Sequence, residues 1–466
     1  MVTLPSLYVH DGIEAYTNAL LDIVATPLVR QITGGIHVND ALIYGAWEGL
    51  PDEWTIWWST LPNTRVVQQD LIDAIDERNL EASAPDATST SHSSQNAHTR
   101  PESLTQWLGC IRQSALPRTK RCDVWIELPE ILTERMKTKK INEVSVAVSY
   151  IREVCQSNGI THIIDMGSGQ GYLSLALAYL FPSLRVLAID GSERQIAASK
   201  AAAAELGITG YRVHHLVRYI DGTSPLVTET ADWANGQNCM LVGLHACGNL
   251  SEHMLRYFTA VPFITHLGAV GCCYNHIIPR SPECPDCFPI SQKLRERGTT
   301  LSATALMTGC QAPNNWKKPD PSAPESVYSK RRFYRALLEK VFHDKGIKLD
   351  TENRPVWGVR KGDMVSFVTF ARRAMQCLSI DQARIDDEGL IAYEARHRDD
   401  ERKIAILWTL SVLCCKLVES VIAMDRYWYL IENSAQNVDV LPIFDYKISP
   451  RNLMMVAEKS PGGDGD

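Results

Sequence analysis

The residues of this sequence that best fit ligand chemistry lie in a glycine-rich turn. An apolar run that ends on Asp165 is followed by glycines at positions 167, 169 and 171, a helix-patterned segment and a second apolar run that ends on Asp190. This order predicts a strand, a turn, a helix and a strand. Glycines let the backbone approach a nucleotide-like ligand, and an acid at the second strand end accepts hydrogen bonds from ribose hydroxyls. The predicted ligand-binding residues are Asp165, Gly167, Ser168, Gly169, Gly171 and Asp190.

The residues around this turn separate two classes of cofactor. A nicotinamide dinucleotide site needs a small residue for close packing of the helix, whereas here the bulky Tyr172 follows Gly171. An acid at Asp165 would also repel a pyrophosphate. It suits a cation such as S-adenosylmethionine, which carries a sulfonium and an ammonium group. We therefore predict S-adenosylmethionine as the cofactor; a nicotinamide site and a turn without a ligand are the alternatives.

Polar residues also follow the fourth predicted strand. The run of residues 239–244 ends at His245, and Asn249 comes shortly after it. Ligands of open α/β sheets bind beyond the carboxyl ends of the strands, so His245 is predicted to contact the cofactor and to act as a base or orienting group. A histidine that only hydrogen-bonds the turn is the alternative. Asn249 is a second catalytic candidate, although capping the next helix is the commoner role.

Cysteines follow the fifth predicted strand. Cys272, Cys273 and Tyr274 are predicted to contact the substrate. Together with Cys284 and Cys287, the two adjacent cysteines form a conceivable zinc set. The sequence has no second CxxC pair, however, and positions 284–287 lie in a segment that reads as an insertion, so we predict no metal.

The composition is that of a soluble globular protein without a global basic field. Of 466 residues, 45% are hydrophobic and 22% are charged, and the net charge is −7. We predict no DNA binding, and any RNA contact must come from the locally basic segments 118–140 and 330–335. No secretory signal is recognisable, so the 13 cysteines indicate reduced thiols in the cytosol or nucleus. Charged residues interrupt the apolar run 404–422, which predicts a buried helix and no membrane span.

The alternation of apolar runs and helical patterns predicts an α/β fold. We expect a Rossmann-like core with a mostly parallel seven-stranded sheet, a helical N-terminal region and a helical C-terminal extension. Residues 364–370 are predicted as the closing strand, and the tryptophans near positions 47–58 as core anchors rather than a base-stacking platform. The predicted boundaries are 1–79 (helical), 80–101 (disordered), 102–135 (helical and basic), 136–373 (core, with insertions near 222–236 and 279–326), 374–459 (helical) and 460–466 (disordered).

Several segments resemble one known family. IIDMGSGQGYLS, GLHACGNLS, GAVGCCYN, MKTKKINEV and SPRNLMMVAEK together resemble the methyltransferase-like protein 25 family, whose members are also described as ribosomal-RNA-adenine-dimethylase-domain-containing proteins. The resemblance implies a class I S-adenosylmethionine-dependent methyltransferase. Lys139, Lys140 and Glu143 match the family's Lys-Lys-x-His-Glu pattern, with Asn142 in place of the histidine. We predict that the two lysines bind substrate.

A second, local likeness concerns the substrate. The turn His245-Ala246-Cys247-Gly248 and the Cys-Cys pair are similar to the tRNA 2′-O-methyltransferases of the Trm thirteen type. The Asn-Pro-Pro-Tyr turn of adenine N6-methylases is missing from this position. Because of the likeness to the tRNA enzymes and the locally basic segments, we predict a methyltransferase that acts on RNA. Methylation of a protein or small molecule, and a catalytically silent scaffold, are the alternatives.

Overall fold

The computed structural model describes residues 2–75, 99–220, 224–313, 327–349 and 357–459. The chain forms two compact units, one from residues 1–21, 115–300 and 418–466 and the other from residues 22–114 and 301–417. The segments predicted to be disordered, 80–101 and 460–466, lie outside the described residues except for positions 99–101.

The strands of the first unit form a single sheet. They are β1 His162–Met166, β2 Arg185–Asp190, β3 Val213–Val217, β4 Cys239–Ala246, β5 Ile264–Gly271, β6 Gln436–Pro442 and β7 Leu453–Glu458. The α-helices among the described residues are α1 Gly12–Ala25, α2 Pro27–Arg30, α3 Ala41–Tyr44, α4 Asp52–Thr60, α5 Thr64–Ile75, α6 Glu102–Ser114, α7 Glu130–Thr133, α8 Thr138–Ser157, α9 Tyr172–Leu180, α10 Glu193–Glu205, α11 Ser224–Ala234, α12 Leu250–Ala260, α13 Gln292–Glu296, α14 Ala303–Gly309, α15 Val327–Asp344, α16 Phe367–Cys377, α17 Asp387–Arg396, α18 Asp400–Leu413 and α19 Cys415–Glu432.

The sheet has the strand order β3-β2-β1-β4-β5-β7-β6. Strands β1 to β5 pair in parallel, and β7 is antiparallel to both of its neighbours. The predicted mostly parallel, seven-stranded Rossmann-like sheet is therefore confirmed. The order reverses between β1 and β4, and the crevice beyond the carboxyl ends of two such strands is where open α/β sheets bind ligands.

Apolar periodicity explains why α8 and α9 cover the sheet near this crevice. Val144, Val148 and Ile151 form one stripe of α8 and pack in the same core as Leu173 and Leu177 of α9. Complete burial of each such side chain is worth about 1.5–3 kcal/mol. The cluster fixes both helices against the central strands, so the N-terminal turn of α8 has a defined position.

The prediction of the last strands is wrong. Residues 364–370 do not form a strand: a 3₁₀ turn ends at Met364, and α16 begins at Phe367. The Ser366 hydroxyl caps this helix by accepting from the Thr369 backbone N–H at 3.1 Å. The closing strands β6 and β7 come instead from the region predicted to be a helical extension, because short apolar runs do not by themselves distinguish strands from buried helices. The predicted core boundary at residue 373 therefore differs from that of the first unit.

The predicted insertion near residues 222–236 contains a helix. In α11, Leu226, Thr230 and Ala234 are buried and recur every four residues, so they form one buried face. This periodicity was not recognised in the sequence, because two of the three buried positions are a threonine and an alanine rather than large apolar residues. The predicted insertion 279–326 contains α13 and α14 within its described part, which ends at residue 313.

The second unit is helical. Helix α18 packs against α5 and α15, and Trp54 and Trp58 are fully buried with ring centroids 6.0 Å apart. The prediction that these tryptophans anchor a core is confirmed.

One stretch of the described residues, Asp400–Glu432, is long and apolar enough to cross a membrane, but 89% of its most apolar window is buried inside the protein. This burial is that of a core helix, as predicted.

Candidate active site

The glycine turn between β1 and α9 contains three residues in the left-handed region. Gly167, Gly169 and Gly171 have φ values of 76°, 54° and 78°, which other residues adopt only with strain. A Cβ on Gly167 would lie 2.7 Å from the Leu250 side chain, and one on Gly171 would lie 2.1 Å from Ser199 Oγ. A Cβ on Gly169 would meet no described atom within 4 Å. Two glycines therefore serve packing, whereas Gly169 borders open space.

Asp190, at the end of β2, holds this turn. Its Oδ2 accepts from the Gly169 backbone N–H at 2.9 Å, and its Oδ1 accepts from the Ser192 backbone N–H at 2.8 Å. A carboxylate has about four acceptor positions, so each oxygen keeps capacity for one further donor. This geometry fits the predicted contact with two ribose hydroxyls.

Asp165, at the end of β1, is 2% exposed and accepts from the Ser174 hydroxyl at 2.6 Å. Burial raises the pKa of Asp165 to about 6; the negative charge of Asp190 raises it further, while the bond from Ser174 and the charge of Lys140 lower it. The ionised carboxylate thus lies in an environment with too little positive charge. A cationic ligand beside the turn would supply that charge.

Two further features of the crevice fit a nucleoside-bearing ligand. The Ser168 hydroxyl is buried and has no hydrogen-bond partner among the described residues, and such a group is costly unless a ligand or water satisfies it. Tyr219 is exposed beside Gly191, where a Cβ would lie 3.4 Å from the ring. An aromatic face next to the ribose-binding acid is suited to flank a base. The residues of this turn therefore fit S-adenosylmethionine.

His245 lies at the end of β4, the strand that pairs with β1. The strand is irregular between Leu244 and Ala246, and His245 adopts φ = 65°. Strained residues of this kind concentrate at functional sites. The ring Nε2 lies 2.8 Å from Glu143 Oε2 on α8, so the histidine predicted from β4 and the glutamate of the Lys-Lys-x-x-Glu segment form a pair.

Glu143 is 1% exposed and is surrounded by donors. Its Oε1 accepts from the Ser449 hydroxyl at 2.6 Å, and Lys139 and Lys140 lie 3.6 and 3.1 Å from its carboxylate oxygens. Burial alone would raise the pKa of Glu143, but the hydrogen bond and charge of His245, the hydrogen bond of Ser449 and the charge of Lys140 hold it at about 2. The carboxylate is therefore ionised and accepts from His245 Nε2. In the neutral imidazole, Nδ1 is then the acceptor nitrogen.

The structure distributes the other predicted residues differently. Lys139 is half-exposed and Lys140 partly exposed at the start of α8, so both flank the His245 pair. Asn249 precedes α12 but makes no side-chain cap; its Oδ1 accepts from the Ile278 backbone N–H at 2.8 Å instead. The prediction that Asn249 caps the helix is therefore wrong, because its amide oxygen binds the backbone of the loop after β5 instead.

Tyr274 is not available to a substrate. It is 3% exposed, and its hydroxyl donates to Glu419 Oε1 at 2.7 Å. Glu419 also pairs with Arg118 at 2.7 Å and Arg451 at 3.1 Å. The prediction of a substrate contact is wrong because the tyrosine ring turns into this buried ionic network.

The cysteine groupings also differ from the prediction. Cys284 and Cys287 form a disulfide, so the conceivable zinc set with Cys272 and Cys273 is wrong, and so is the expectation of reduced thiols for this pair. Cys247 joins Cys272 and Cys273 instead, with Sγ atoms 3.1 and 3.4 Å from its own. A hydrogen bond from Cys272 lowers the pKa of the Cys247 thiol to about 6, against the effect of burial.

Sequence reasoning missed four contributors to the site. Ser449 and the pairing function of Glu143 had no local signal, since Ser449 is 306 residues from the glutamate that it contacts. Cys247 stood inside the H-x-C-G turn, so its position next to His245 was a usable signal. Tyr219 was detectable as an aromatic residue shortly after β3.

Comparisons with known proteins agree with this geometry. Residues 136–280 match a family model described as a methyltransferase domain. Over 234 residues, the chain is 27% identical to the probable methyltransferase-like protein 25 of Homo sapiens, a match that covers 48% of this chain and 37% of that protein. The match thus spans well under half the length of this relative.

Two further comparisons are weaker. Over 114 residues, the chain is 30% identical to ribosomal RNA small subunit methyltransferase G of Myxococcus xanthus, covering 22% of this chain and 52% of that protein. The crystal structure of coclaurine N-methyltransferase bound to N-methylheliamine and SAH aligns over 95% of this chain and 98% of that chain, with 11% identity. Its TM-score of 0.23 is too low to support an inference.

The strand order, the glycine turn with its two acids and the family match over residues 136–280 lead to the same assignment. This chain carries a class I S-adenosylmethionine-dependent methyltransferase domain.

Proposed function

We propose that this protein transfers a methyl group from S-adenosylmethionine to RNA, with His245 as the base. The observation that carries the proposal is the hydrogen bond between His245 and the ionised, buried Glu143, at the carboxyl end of the strand next to the glycine turn. A carboxylate that holds one ring nitrogen directs the other toward a substrate and stabilises the imidazolium that forms after proton transfer.

The reaction is an in-line displacement at a sulfonium. The bond between sulfur and the methyl carbon breaks, its electron pair stays on sulfur, and S-adenosylhomocysteine leaves. An oxygen or nitrogen lone pair of the substrate forms the new bond to the methyl carbon. A nucleophile that arrives protonated, such as a ribose hydroxyl, gives its proton to His245 Nδ1. Positioning of the nucleophile supplies most of the acceleration, and a base adds about 10²–10⁴-fold.

The basic residues near His245 support RNA as the substrate class. Lys137 and Lys139 are exposed at the start of α8, and Lys140 is partly exposed. The ribosomal RNA methyltransferase among the relatives points to the same class. Since the net charge of the chain is −7, binding must depend on this local patch.

Four other basic residues of the segments named from the sequence do not support phosphate binding. Arg118 is buried against Glu419, and Arg121 pairs with Asp439 at 2.9 Å. In the second unit, Arg332 and Arg335 stack on Trp408 and Trp357 at 3.3 and 3.4 Å from the ring centroids. The RNA proposal therefore rests on the α8 lysines and not on the segment 330–335.

The cofactor part is tested by calorimetric titration with S-adenosylmethionine and S-adenosylhomocysteine. Gly169→Arg is expected to abolish binding, because its side chain enters the open space of the crevice. Gly207→Arg is the matched control: Gly207 also has a left-handed φ, 66°, and an open Cβ position, but it lies between α10 and β3. Asp190→Ala should weaken binding at least 10-fold, since hydrogen bonds to a charged acceptor contribute about 1.5–3 kcal/mol. Equal affinities for the two arginine variants would overturn the site.

The substrate part is tested with radiolabelled methyl donor and separated RNA and protein fractions. His245→Asn is expected to retain cofactor binding, since asparagine tolerates positive φ, and to lose about 10²–10⁴-fold in rate. His214→Asn, an exposed histidine on β3, is the control. RNA affinity should fall with salt with a slope near −2 for about three phosphate contacts on a single strand. Labelling confined to protein, or an affinity that salt does not change, would refute RNA as the substrate.

A further inference from the structure

Three thiols converge beside the proposed site. The Sγ atoms of Cys247, Cys272 and Cys273 form a triangle with sides of 3.1, 3.4 and 3.4 Å. Within the part of the chain that the structure describes, this is the one group of three His, Cys, Asp or Glu side chains whose ligand atoms lie close enough to share a metal ion. All three belong to the first unit.

The backbone around the triangle brings these thiols together. Cys247 follows β4, and Cys272 and Cys273 follow β5, its parallel neighbour, with Ala246 and Gly271 in register. The Gly248 N–H donates to the Cys273 carbonyl at 3.2 Å. Gly248 has φ = 53°, and a Cβ there would lie 2.5 Å from the His276 carbonyl oxygen. Only glycine permits this contact between the turns, so the convergence is a consequence of close backbone packing at two strand ends.

We propose that Cys247, Cys272 and Cys273 bind one thiophilic d¹⁰ cation, Zn²⁺ being the commonest in proteins. Thiolates are the preferred ligands of such cations, and Zn–S bonds of about 2.3 Å at tetrahedral angles separate the sulfurs by about 3.8 Å. Each Sγ atom therefore moves by only a few tenths of an ångström to accept the ion. Three protein ligands leave the fourth position to water or to a donor atom of another molecule, which is the ligand count of catalytic rather than structural zinc sites.

The first test is metal analysis of the full chain, purified with a non-thiol reductant and without chelators. We expect about one zinc per chain, and at least a 10-fold lower content in Cys247→Ser and in Cys273→Ser. Cys110→Ser, at an exposed cysteine of the second unit, is the matched control and should retain the metal. A zinc content in the wild type no higher than in Cys247→Ser, with both proteins folded by circular dichroism, would overturn the proposal.

A second measurement uses the wild type alone, so its result does not depend on whether a variant folds. Co²⁺ added to the chelator-treated protein is expected to give thiolate-to-metal charge-transfer bands, and X-ray absorption of the bound Zn²⁺ should count three sulfur ligands. Fewer than three sulfurs, or a disulfide that includes Cys247 found by peptide mapping, would refute the site.

The metal site and the methyltransferase proposal fail separately. Metal content needs neither cofactor nor substrate, so Gly169→Arg is expected to keep its zinc while losing cofactor binding. Loss of zinc in Gly169→Arg, with Gly207→Arg unaffected, would mean that the metal depends on the cofactor turn and would overturn a site built by the three thiols alone.

Discussion

The buried carboxylate of Glu143 provides the sharpest test of the site, through the substitution Glu143→Gln. Glutamine keeps the shape of the side chain but removes the charge that Lys139, Lys140 and Ser449 surround. It also replaces one acceptor oxygen with a donor, so either Ser449 or His245 loses its acceptor. The folded protein should therefore lose stability at neutral pH.

The pKa of Glu143 sets the size of this effect. His245, Ser449 and Lys140 lower it from an ordinary value of 4.5 to about 2, and a difference of about 2.5 units at about 1.4 kcal/mol per unit corresponds to about 3.5 kcal/mol. For a unit of this size, each kcal/mol shifts the Tm by about 2–4 °C. We expect the Tm of Glu143→Gln to fall by about 7–14 °C at pH 7.

The dependence on pH gives the sign of the effect. A carboxyl whose folded pKa lies below its unfolded pKa stabilises the fold fully above the unfolded value, and this contribution disappears as the pH falls through the folded value. The gap in Tm between the wild type and Glu143→Gln should thus be constant above about pH 5 and narrow between pH 4.5 and 2. Differential scanning calorimetry across this range measures it.

The control is Glu153→Gln, at an exposed position of the same helix α8. Surface substitutions of this kind usually change stability by less than about 0.5 kcal/mol. Equal Tm values for the two glutamine variants at pH 7, or a gap for Glu143→Gln that persists unchanged to pH 3, would refute the description of Glu143 as a buried ionised partner of His245.

Two further predictions concern the other buried acids. Burial raises the pKa of Asp165 from 3.8 to about 6, so this carboxyl costs stability increasingly as the pH rises from about 4 to 6, and fully above 6. Asp165→Asn should therefore raise the Tm of the ligand-free protein at pH 7.5 by several degrees, with the gap closing as the pH falls toward 4. A lower or unchanged Tm at pH 7.5 by calorimetry would contradict this. Glu419→Gln leaves Arg118 and Arg451 without their buried counter-charge and is expected to cost about 3–5 kcal/mol in unfolding free energy. The exposed Glu134→Gln is the control for chemical denaturation, and similar denaturation midpoints for the two variants would show that the network contributes little.

Local pattern was sufficient for the cofactor side of the crevice. The apolar runs before Asp165 and Asp190, and the glycines between them, lie within about thirty residues, and the backbone conformations that they require are properties of those residues alone. The turn, its two flanking strands and the cofactor class were therefore predictable. The closing strands were not, because the apolar runs near residues 364–370 and 453–458 are alike in length and composition. Whether such a run forms a strand or a helix depends on the tertiary neighbours with which it can pair.

The sequence by itself determined which chemical groups this protein has at its strand ends, because strand, turn and helix signals are local. The tertiary structure alone decided how these groups combine. Glu143 reaches His245 across 102 residues of chain and Ser449 across 306, and Cys247 meets Cys272 and Cys273 through the register of β4 and β5. Contacts of this kind depend on helix packing and sheet order, which no spacing in the sequence records.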